Sequence, residues 1–278
     1  MNAYIVGCAK NCGKYIAPVF ENIAKIAPFF DNVRIVIAAG KSDDDTLAAL
    51  INMRVKYSNL SITIIISNSD SPVRPERIAE GRNALLQHIR KTRTSEWTHI
   101  VMLDMDNVSS SPIDTEVFRD TLRRDADWDA VSFNAPIYYD IWALSYKPYT
   151  VSCWNWGANS RNVVHFMMED IKARLNSLSP KELFPCDSAF NGLAIYKLDK
   201  FIDCTYDHVT VPYDQLDRDD LDHSIGFFRH IFRNEKTDYL RLIYDQDCEH
   251  RAFHAEARIT HGARIRITPK ILFPQMKM

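Results

Sequence analysis

The sequence predicts an α/β fold built on a mostly parallel sheet with helices on its faces. Three observations predict it. Short apolar runs, several rich in β-branched residues, recur at Ala3–Cys8, Val33–Ala38, Ser61–Ile66 and Ile100–Leu103. Longer stretches between them carry apolar residues at helical spacing. The resulting order, strand and helix alternating up to the fourth strand, is that of parallel strands joined by crossovers.

Each element has its own warrant. Ala3–Cys8 (A-Y-I-V-G-C) reads as the first strand. Lys14–Ala27 follows with Ile16, Val19, Phe20, Ile23 and Ile26 on one helical face. Val33–Ala38 is a second strand, and the acidic loop Gly40–Asp45 offers Asp43 as a cap for a helix running to Lys56. Ser61–Ile66 is a third strand. Ser67–Pro75 is a polar loop with two prolines, and Glu76–Thr92 is a helix. Later elements are a helix-like stretch from Pro112 to Arg124, a strand at Asp129–Asn134, a helix at Arg161–Leu178, a strand at Ala189–Tyr196, and a last strand at Ile265–Ile267. Ser224–Arg233 and Tyr239–Gln246 are apolar-rich segments that the pattern leaves unassigned. No linker, repeat or low-complexity stretch divides the 278 residues, so one domain is expected.

Bulk composition excludes several classes. The formal net charge is −2, which gives no overall positive field for a nucleic-acid backbone. The six cysteines are scattered without C-x-x-C, against a structural zinc site or a disulfide framework. Reduced thiols, no signal-like amino terminus and no stretch of membrane-spanning length lead to the expectation of a soluble cytoplasmic protein.

The stretch that carries chemistry is Trp97–Val108, W-T-H-I-V-M-L-D-M-D-N-V. Side chains alternate in extended backbone, so Asp104 and Asp106 are expected on one side, just past the strand's carboxyl end. Open α/β sheets bind ligands at that edge. Two adjacent carboxylates repel unless a cation sits between them, and hard oxygen ligands suit Mg²⁺ or Mn²⁺ holding a substrate's phosphates. The bland alternative is a solvated acidic turn, since D-x-D alone is common. D-M-D-N-V also fits the D-x-D-x-(T/V) pattern of aspartate-nucleophile phosphohydrolases, although three βα units precede it here. The first turn, G-C-A-K-N-C-G, lacks G-x-G-x-x-G spacing, and no P-loop or G-G-x-G-T-R loop occurs. Cationic side chains must then meet any diphosphate. Arg77 and Arg82, before the D-x-D strand, are candidates with a fork suited to phosphate; the bland alternative pairs them with Glu76 or Glu80.

Taken in order, C-A-K-N after the first strand, an acidic loop after the second, G-R-N-A-L-L and H-I-V-M-L-D-M-D-N resemble the GT-A-fold (Rossmann-like) glycosyltransferases, which use nucleotide-sugar donors. Tyr138–Leu144 (Y-Y-D-I-W-A-L), Asp187–Lys197 (D-S-A-F-N-G-L-A-I-Y-K) and Cys248–His254 (C-E-H-R-A-F-H) resemble blocks of capsule-type mannosyltransferase relatives and of small glycosyltransferases of large algal viruses. The resemblance implies a donor-binding half, 1–108, and an acceptor-binding half, 109–278. It implies Ala9, Lys10 and Asn11 beside the nucleotide base and ribose, with Arg77 and Arg82 towards the diphosphate. Asp104 and Asp106 would hold Mn²⁺ or Mg²⁺. His250, His254 and His261 compete to complete the metal shell. Glu249 stands at the catalytic carboxylate's position, with Asp187 as second candidate or a simple turn residue. Gly192, with Asn191 before it, would sit in the acceptor loop. The implied partners are a nucleotide-sugar donor, a UDP-sugar such as UDP-xylose being favoured, and a glycan acceptor.

Seven aromatics crowd Tyr138–Trp156. Aromatic faces stack on sugar rings, and the interleaved Asp140 suggests a polar cleft. Acceptor contact and core packing weigh equally for Trp142, and core is favoured for Trp154. The dense acidic run Asp214–Asp222 reads as a solvated loop. The expected reaction is inverting sugar transfer; a phosphohydrolase using Asp104 and a non-catalytic carbohydrate-binding protein are the alternatives.

Overall fold

The computed structural model describes residues 1–211, 215–232 and 246–276. Residues 239–245 of the unassigned segment Tyr239–Gln246, Arg233, and Asp214 of the acidic run lie outside the described residues. Strands β1 (Asn2–Ala9), β2 (Asn32–Ala39), β3 (Ser61–Ile66) and β4 (Trp97–Leu103) match the first four expected runs. They are joined by helices α1 (Gly13–Ile26), α2 (Thr46–Lys56) and α3 (Arg74–Thr92). The chain continues through α4 (Asn107–Ser110), α5 (Thr115–Leu122), β5 (Ala130–Asn134), α6 (Ser160–Ser177), β6 (Phe184–Cys186), β7 (Leu193–Lys197), α7 (Leu198–Phe201), α8 (Arg218–Ile231), α9 (Glu249–His261) and β8 (Ile265–Ile271).

One eight-stranded sheet has the order β3-β2-β1-β4-β7-β5-β8-β6. Its first four strands are parallel; β7 enters antiparallel between β4 and β5, so both halves of the chain share the sheet. Alternation along each strand sends residues to two cores. Tyr4, Val6, Ile100 and Met102 join the cluster under α3 and α9, while Ala3, Ile5, Val101 and Leu103 join the cluster under α1 and α5. The chain runs outward from β1 to β3 and returns to pair β4 on the other side of β1. The crevice between the carboxyl ends of β1 and β4 is therefore the topological switch point, where such sheets bind ligands.

Several expectations need correction. Asp43 does not cap α2: the Asp44 carboxylate accepts from the Thr46 N–H at 3.0 Å and from the Gly13 N–H at 2.9 Å. Helix α3 starts at Arg74, ahead of the predicted Glu76, because Pro75 is favourable in a first helical turn. The predicted strand Ala189–Tyr196 begins only at Leu193. Asn191 and Gly192 have φ of 57° and 91°, left-handed backbone that a strand does not admit. The stretch Pro112–Arg124 holds one helix of eight residues, α5. The block Cys248–His254 opens helix α9, which composition alone did not assign.

Candidate functional site

The site begins with the turn after β4. A Cβ on Gly7 of β1 would stand 2.6 Å from the Leu103 carbonyl oxygen and 2.8 Å from Met105 Cγ. Only a glycine lets β1 approach that closely. Met105 is buried there, and the residues on either side of it, Asp104 and Asp106, both line the cavities described below. The Asp106 carboxylate accepts the Val108 N–H at 3.1 Å and so caps α4. The Asp104 backbone N–H donates to the Gly192 carbonyl at 2.9 Å, and Tyr139 O–H donates to Asp104 Oδ2 at 3.0 Å.

Two cavities meet at this turn. The first, about 340 Å³, lies at the β1–β4 switch point and is lined by Ala9, Lys10, Asn11, Lys41, Arg74, Arg77, Arg82, Asp104 and Asp106 among others. The second, about 370 Å³, shares Arg74, Ile78, Arg82, Asp104 and Asp106 and adds Asp140, Trp142, Trp154, His250 and Glu249. Both volumes are of ligand-binding size. The first is rimmed by cations, the second by carboxylates and tryptophans.

Arg82 links them. Its guanidinium is buried, ion-paired with Glu249 and in contact with His250 Nε2, and its other end stands 3.5 Å from Asp104. It packs over the rings of Phe190 and Tyr206 at 4.8 and 5.5 Å. Burial opposes its charge, but Glu249, Tyr206 and Asp104 outweigh that and hold it protonated well above the ordinary arginine range. Arg82 thereby joins Glu249 of α9 to the D-x-D turn while lining the first cavity.

One arginine does not neutralise four carboxylates. Burial, then the charge of Asp106, pushes the Asp104 carboxyl up to about 8, even with Arg82 lowering it. Burial and Glu249 push Asp140 up to about 6. Carboxyls crowded until Asp104 retains its proton are the observation against which a divalent cation is judged, and the residues fit one. Asp104 and Asp106 offer hard oxygens on a shared cavity wall. Among the described residues no group of three His, Cys, Asp or Glu forms a complete cage. Two carboxylates plus substrate phosphates is the usual arrangement for Mg²⁺-type ions, which seldom have an all-protein cage.

The carboxyl shift has a testable sign. Asp104 keeps its proton in the folded chain up to about pH 8, against an ordinary value of 3.8. The stability it contributes is therefore full below about pH 4 and is lost as pH rises towards 8. Asp140 acts in the same direction. Metal-free Asp104→Asn is expected to melt about 2–4 °C above wild type at pH 8 and level with it at pH 4. An equal difference at both pH values contradicts this.

The other candidates are placed as follows. Ala9, Lys10, Asn11 and Arg77 line the first cavity. Arg77 also donates to the Ser71 carbonyl at 2.7 Å, and Asn11 braces the acidic loop by accepting the Asp43 N–H at 2.8 Å. Asp140 and Trp142 line the second cavity, and so does Trp154, which like Trp142 is partly buried and packs against the core as well. Asn191 and Gly192 line neither cavity. The Asn191 amide donates to the Phe133 carbonyl and accepts from the Tyr139 and Asp140 N–H groups, so it positions that segment from beneath. A Cβ on Gly192 would meet Val108 Cγ1 at 2.5 Å and the Tyr139 hydroxyl at 3.0 Å. Gly192→Ala is expected to lower stability by about 1–3 kcal/mol and displace Tyr139 from Asp104; an unchanged melting temperature contradicts it.

Asp187 lies apart. It pairs with Arg258 at 2.7 Å, lines neither cavity, and burial raises its pKa despite that arginine. His254 is a core histidine: Nδ1 meets Ser188 Oγ at 2.8 Å, Nε2 meets the Tyr196 hydroxyl at 3.1 Å, and burial followed by Arg82 lowers it to about 3. His250 stacks on Phe190 at 4.0 Å, and burial and Arg82 hold it neutral. His261 ends α9 and lines neither cavity. Residues that the sequence reading passed over are Arg74 and Lys41, which bring charge to the cavity, and Tyr139, which orients Asp104. The R-P pair at the start of α3 was the available signal for Arg74.

No family model matches this sequence, and no curated protein matches it. Solved structures similar to it include S. aureus TarS 1-349 in complex with UDP-GlcNAc, 16% identical with a TM-score of 0.49, over 100% of this chain and 59% of that one. The mannosyltransferase PcManGT from Pyrobaculum calidifontis, in complex with GDP-Man and Mn²⁺, is 14% identical with a TM-score of 0.43, over 92% and 69%. Glucosyl-3-phosphoglycerate synthase from Mycobacterium tuberculosis, in complex with Mn²⁺, UDP and phosphoglyceric acid, is 15% identical with a TM-score of 0.36, over 72% and 57%. The chain spans 59% of the length of the TarS chain it matches.

Proposed function

We propose that the chain is a metal-dependent glycosyltransferase moving a sugar from a nucleoside-diphosphate donor to a saccharide hydroxyl. The observation that carries this is the junction of a cation-rimmed cavity with a carboxylate- and tryptophan-lined one at Asp104, Asp106 and Arg82. The first cavity receives the nucleotide, with Lys10, Lys41, Arg74 and Arg77 facing its diphosphate. Asp104 and Asp106 hold the divalent ion. When bound, that ion supplies charge neutralisation for the departing diphosphate.

The second cavity receives the acceptor, with Trp142 and Trp154 offering faces to a sugar ring and Asp140 accepting from its hydroxyls. Glu249 takes the proton of the attacking hydroxyl as general base. Its pairing with Arg82 fixes its direction. Attack from the face opposite the diphosphate makes the enzyme inverting. The favoured donor is a UDP-sugar, with UDP-xylose, UDP-glucose and GDP-mannose to be compared.

The phosphohydrolase reading is disfavoured by Asp104 itself. It follows three βα units rather than a first strand, and its Oδ2 already accepts the Tyr139 O–H at 3.0 Å. The test is release of nucleoside diphosphate from a panel of nucleotide sugars with Mn²⁺ and neutral oligosaccharides. Metal-dependent release with one donor is expected. No release from any donor, together with a trapped phosphoaspartate on Asp104, would establish the phosphohydrolase; binding of saccharide alone would leave a non-catalytic carbohydrate-binding protein.

A further inference from the structure

Between β5 and α6 the chain runs through residues 135–156 without a helix or a sheet strand. Asp140, Ile141 and Trp142 from the first arm of this segment, and Cys153 and Trp154 from its second, line the second cavity. The two tryptophan rings meet edge to face, with centroids 6.5 Å apart and planes at 81°. Irregular backbone holds side chains less accurately than a helix or strand unless other groups support it. Helix α9 brings Glu249 to the same cavity, so the wall and the helix need a common fixture.

Arg251 supplies one. It is buried to 5% exposure. Its Nη1 donates to the Leu144 carbonyl at 2.9 Å and its Nη2 to the Thr150 carbonyl at 2.7 Å. Its Nε donates to Asp247 Oδ2 at 2.9 Å. Asp247, 1% exposed, extends the fixture: its Oδ1 accepts the Ser152 hydroxyl and the Cys248 N–H, each at 2.8 Å. Leu144 lies two residues after Trp142, and Ser152 two residues before Trp154. Other bonds support one arm at a time, from Ser188 Oγ to the Ala143 carbonyl and from Ser160 Oγ to the Trp154 carbonyl. Arg251 and Asp247 reach both arms and tie them to the start of α9. Glu249 and Arg251 leave the helix about 200° apart, so one turn serves the cavity on one flank and its wall on the other.

A buried ion pair is a weak source of stability, because the cost of desolvating two charges offsets most of their attraction. What the arginine offers instead is direction. Its planar fork fixes three bonds at once, which a lysine ammonium does not.

We propose that Arg251, held by Asp247, is a positioning residue that sets Trp142 and Trp154 against Glu249 and so governs acceptor binding. This rests on the reading of the second cavity as the acceptor site. The pair touches neither the nucleotide cavity nor the D-x-D turn, so its effect falls on the saccharide and not on the nucleotide.

The full chain labelled with 5-fluorotryptophan tests this by fluorine NMR, the Trp142 and Trp154 lines being assigned through Trp142→Phe and Trp154→Phe. Cellotriose, mannotriose and chitotriose are titrated in, with and without UDP or GDP and Mg²⁺. At least one of them is expected to shift both lines of the wild type. Arg251→Lys keeps a cation beside Asp247 but loses the fork. It is expected to move both lines before any ligand is added and to weaken that trisaccharide by about ten-fold or more. Ser152→Ala leaves the ion pair in place and decides the matter if Arg251→Lys fails to fold; a loss of about three-fold or more is expected. In both variants nucleotide affinity stays within about two-fold of wild type, as for a distant site. The lines of Trp97 and Trp128, which line neither cavity, stay where they are. Equal losses of nucleotide and trisaccharide affinity reduce the pair to a structural role and overturn the proposal. So does unaltered trisaccharide affinity in both variants, or a wild type whose two tryptophan lines answer to none of the three sugars. Metal-dependent release of nucleoside diphosphate to water, measured without any acceptor, decides separately whether the glycosyltransferase reading stands.

Discussion

Asp106→Asn is expected to lower kcat/KM by about 10²–10³, the scale on which removing one group that stabilises developing charge is felt. Asp106 faces both cavities, and its backbone is held by the cap it makes on α4. Asparagine keeps that cap, because an amide oxygen also accepts the Val108 N–H. The fold should therefore be unaffected, and the loss should appear in kcat with raised metal concentration giving partial recovery. The assay is donor turnover across a Mn²⁺ titration. Full activity at ordinary Mn²⁺ would remove Asp106 from the metal site.

Glu249→Gln carries the second large effect. Loss of a general base costs about 10²–10⁴ in kcat. Here the substitution also removes one charge from a buried pair, and the stranded Arg82 costs up to about 3–5 kcal/mol. Asp104, 3.5 Å away, offsets part of that by becoming the arginine's main partner. The expected signature is a lowered melting temperature, a collapse of turnover, and donor affinity within a few-fold of wild type. Calorimetry with donor separates the two effects. Turnover near the wild-type rate would mean that Glu249 holds Arg82 and does no proton transfer.

The first half of the fold was legible in the sequence because each strand there is a continuous apolar run and each helix shows its period. Ser61–Ile66 was bounded to the residue for that reason. The second half was less so. Asn191 and Gly192 sit in an apolar stretch that reads as strand, and the left-handed backbone there shows only in the structure. Strand β6 has three residues and a proline, too little pattern to find. Asp104 and Asp106 could be placed by strand periodicity. Arg82, Glu249 and His250 could not be brought together, since 167 residues separate Arg82 from Glu249 and only tertiary packing joins α3 to α9. The histidines show the same limit. His250 and His254 look like ligands in a string of letters, yet one is held against an arginine and the other has both ring nitrogens occupied.

The central claim is that Asp104 and Asp106 hold a divalent ion that in turn holds a nucleoside diphosphate. Isothermal titration calorimetry of UDP and GDP, with and without Mn²⁺, against wild type and the Asp104→Asn, Asp106→Asn double variant tests it most directly. The account predicts at least about ten-fold tighter binding of one nucleotide with Mn²⁺, and no such gain in the double variant. Equal affinity with and without the metal, or a metal effect that survives loss of both aspartates, would contradict it.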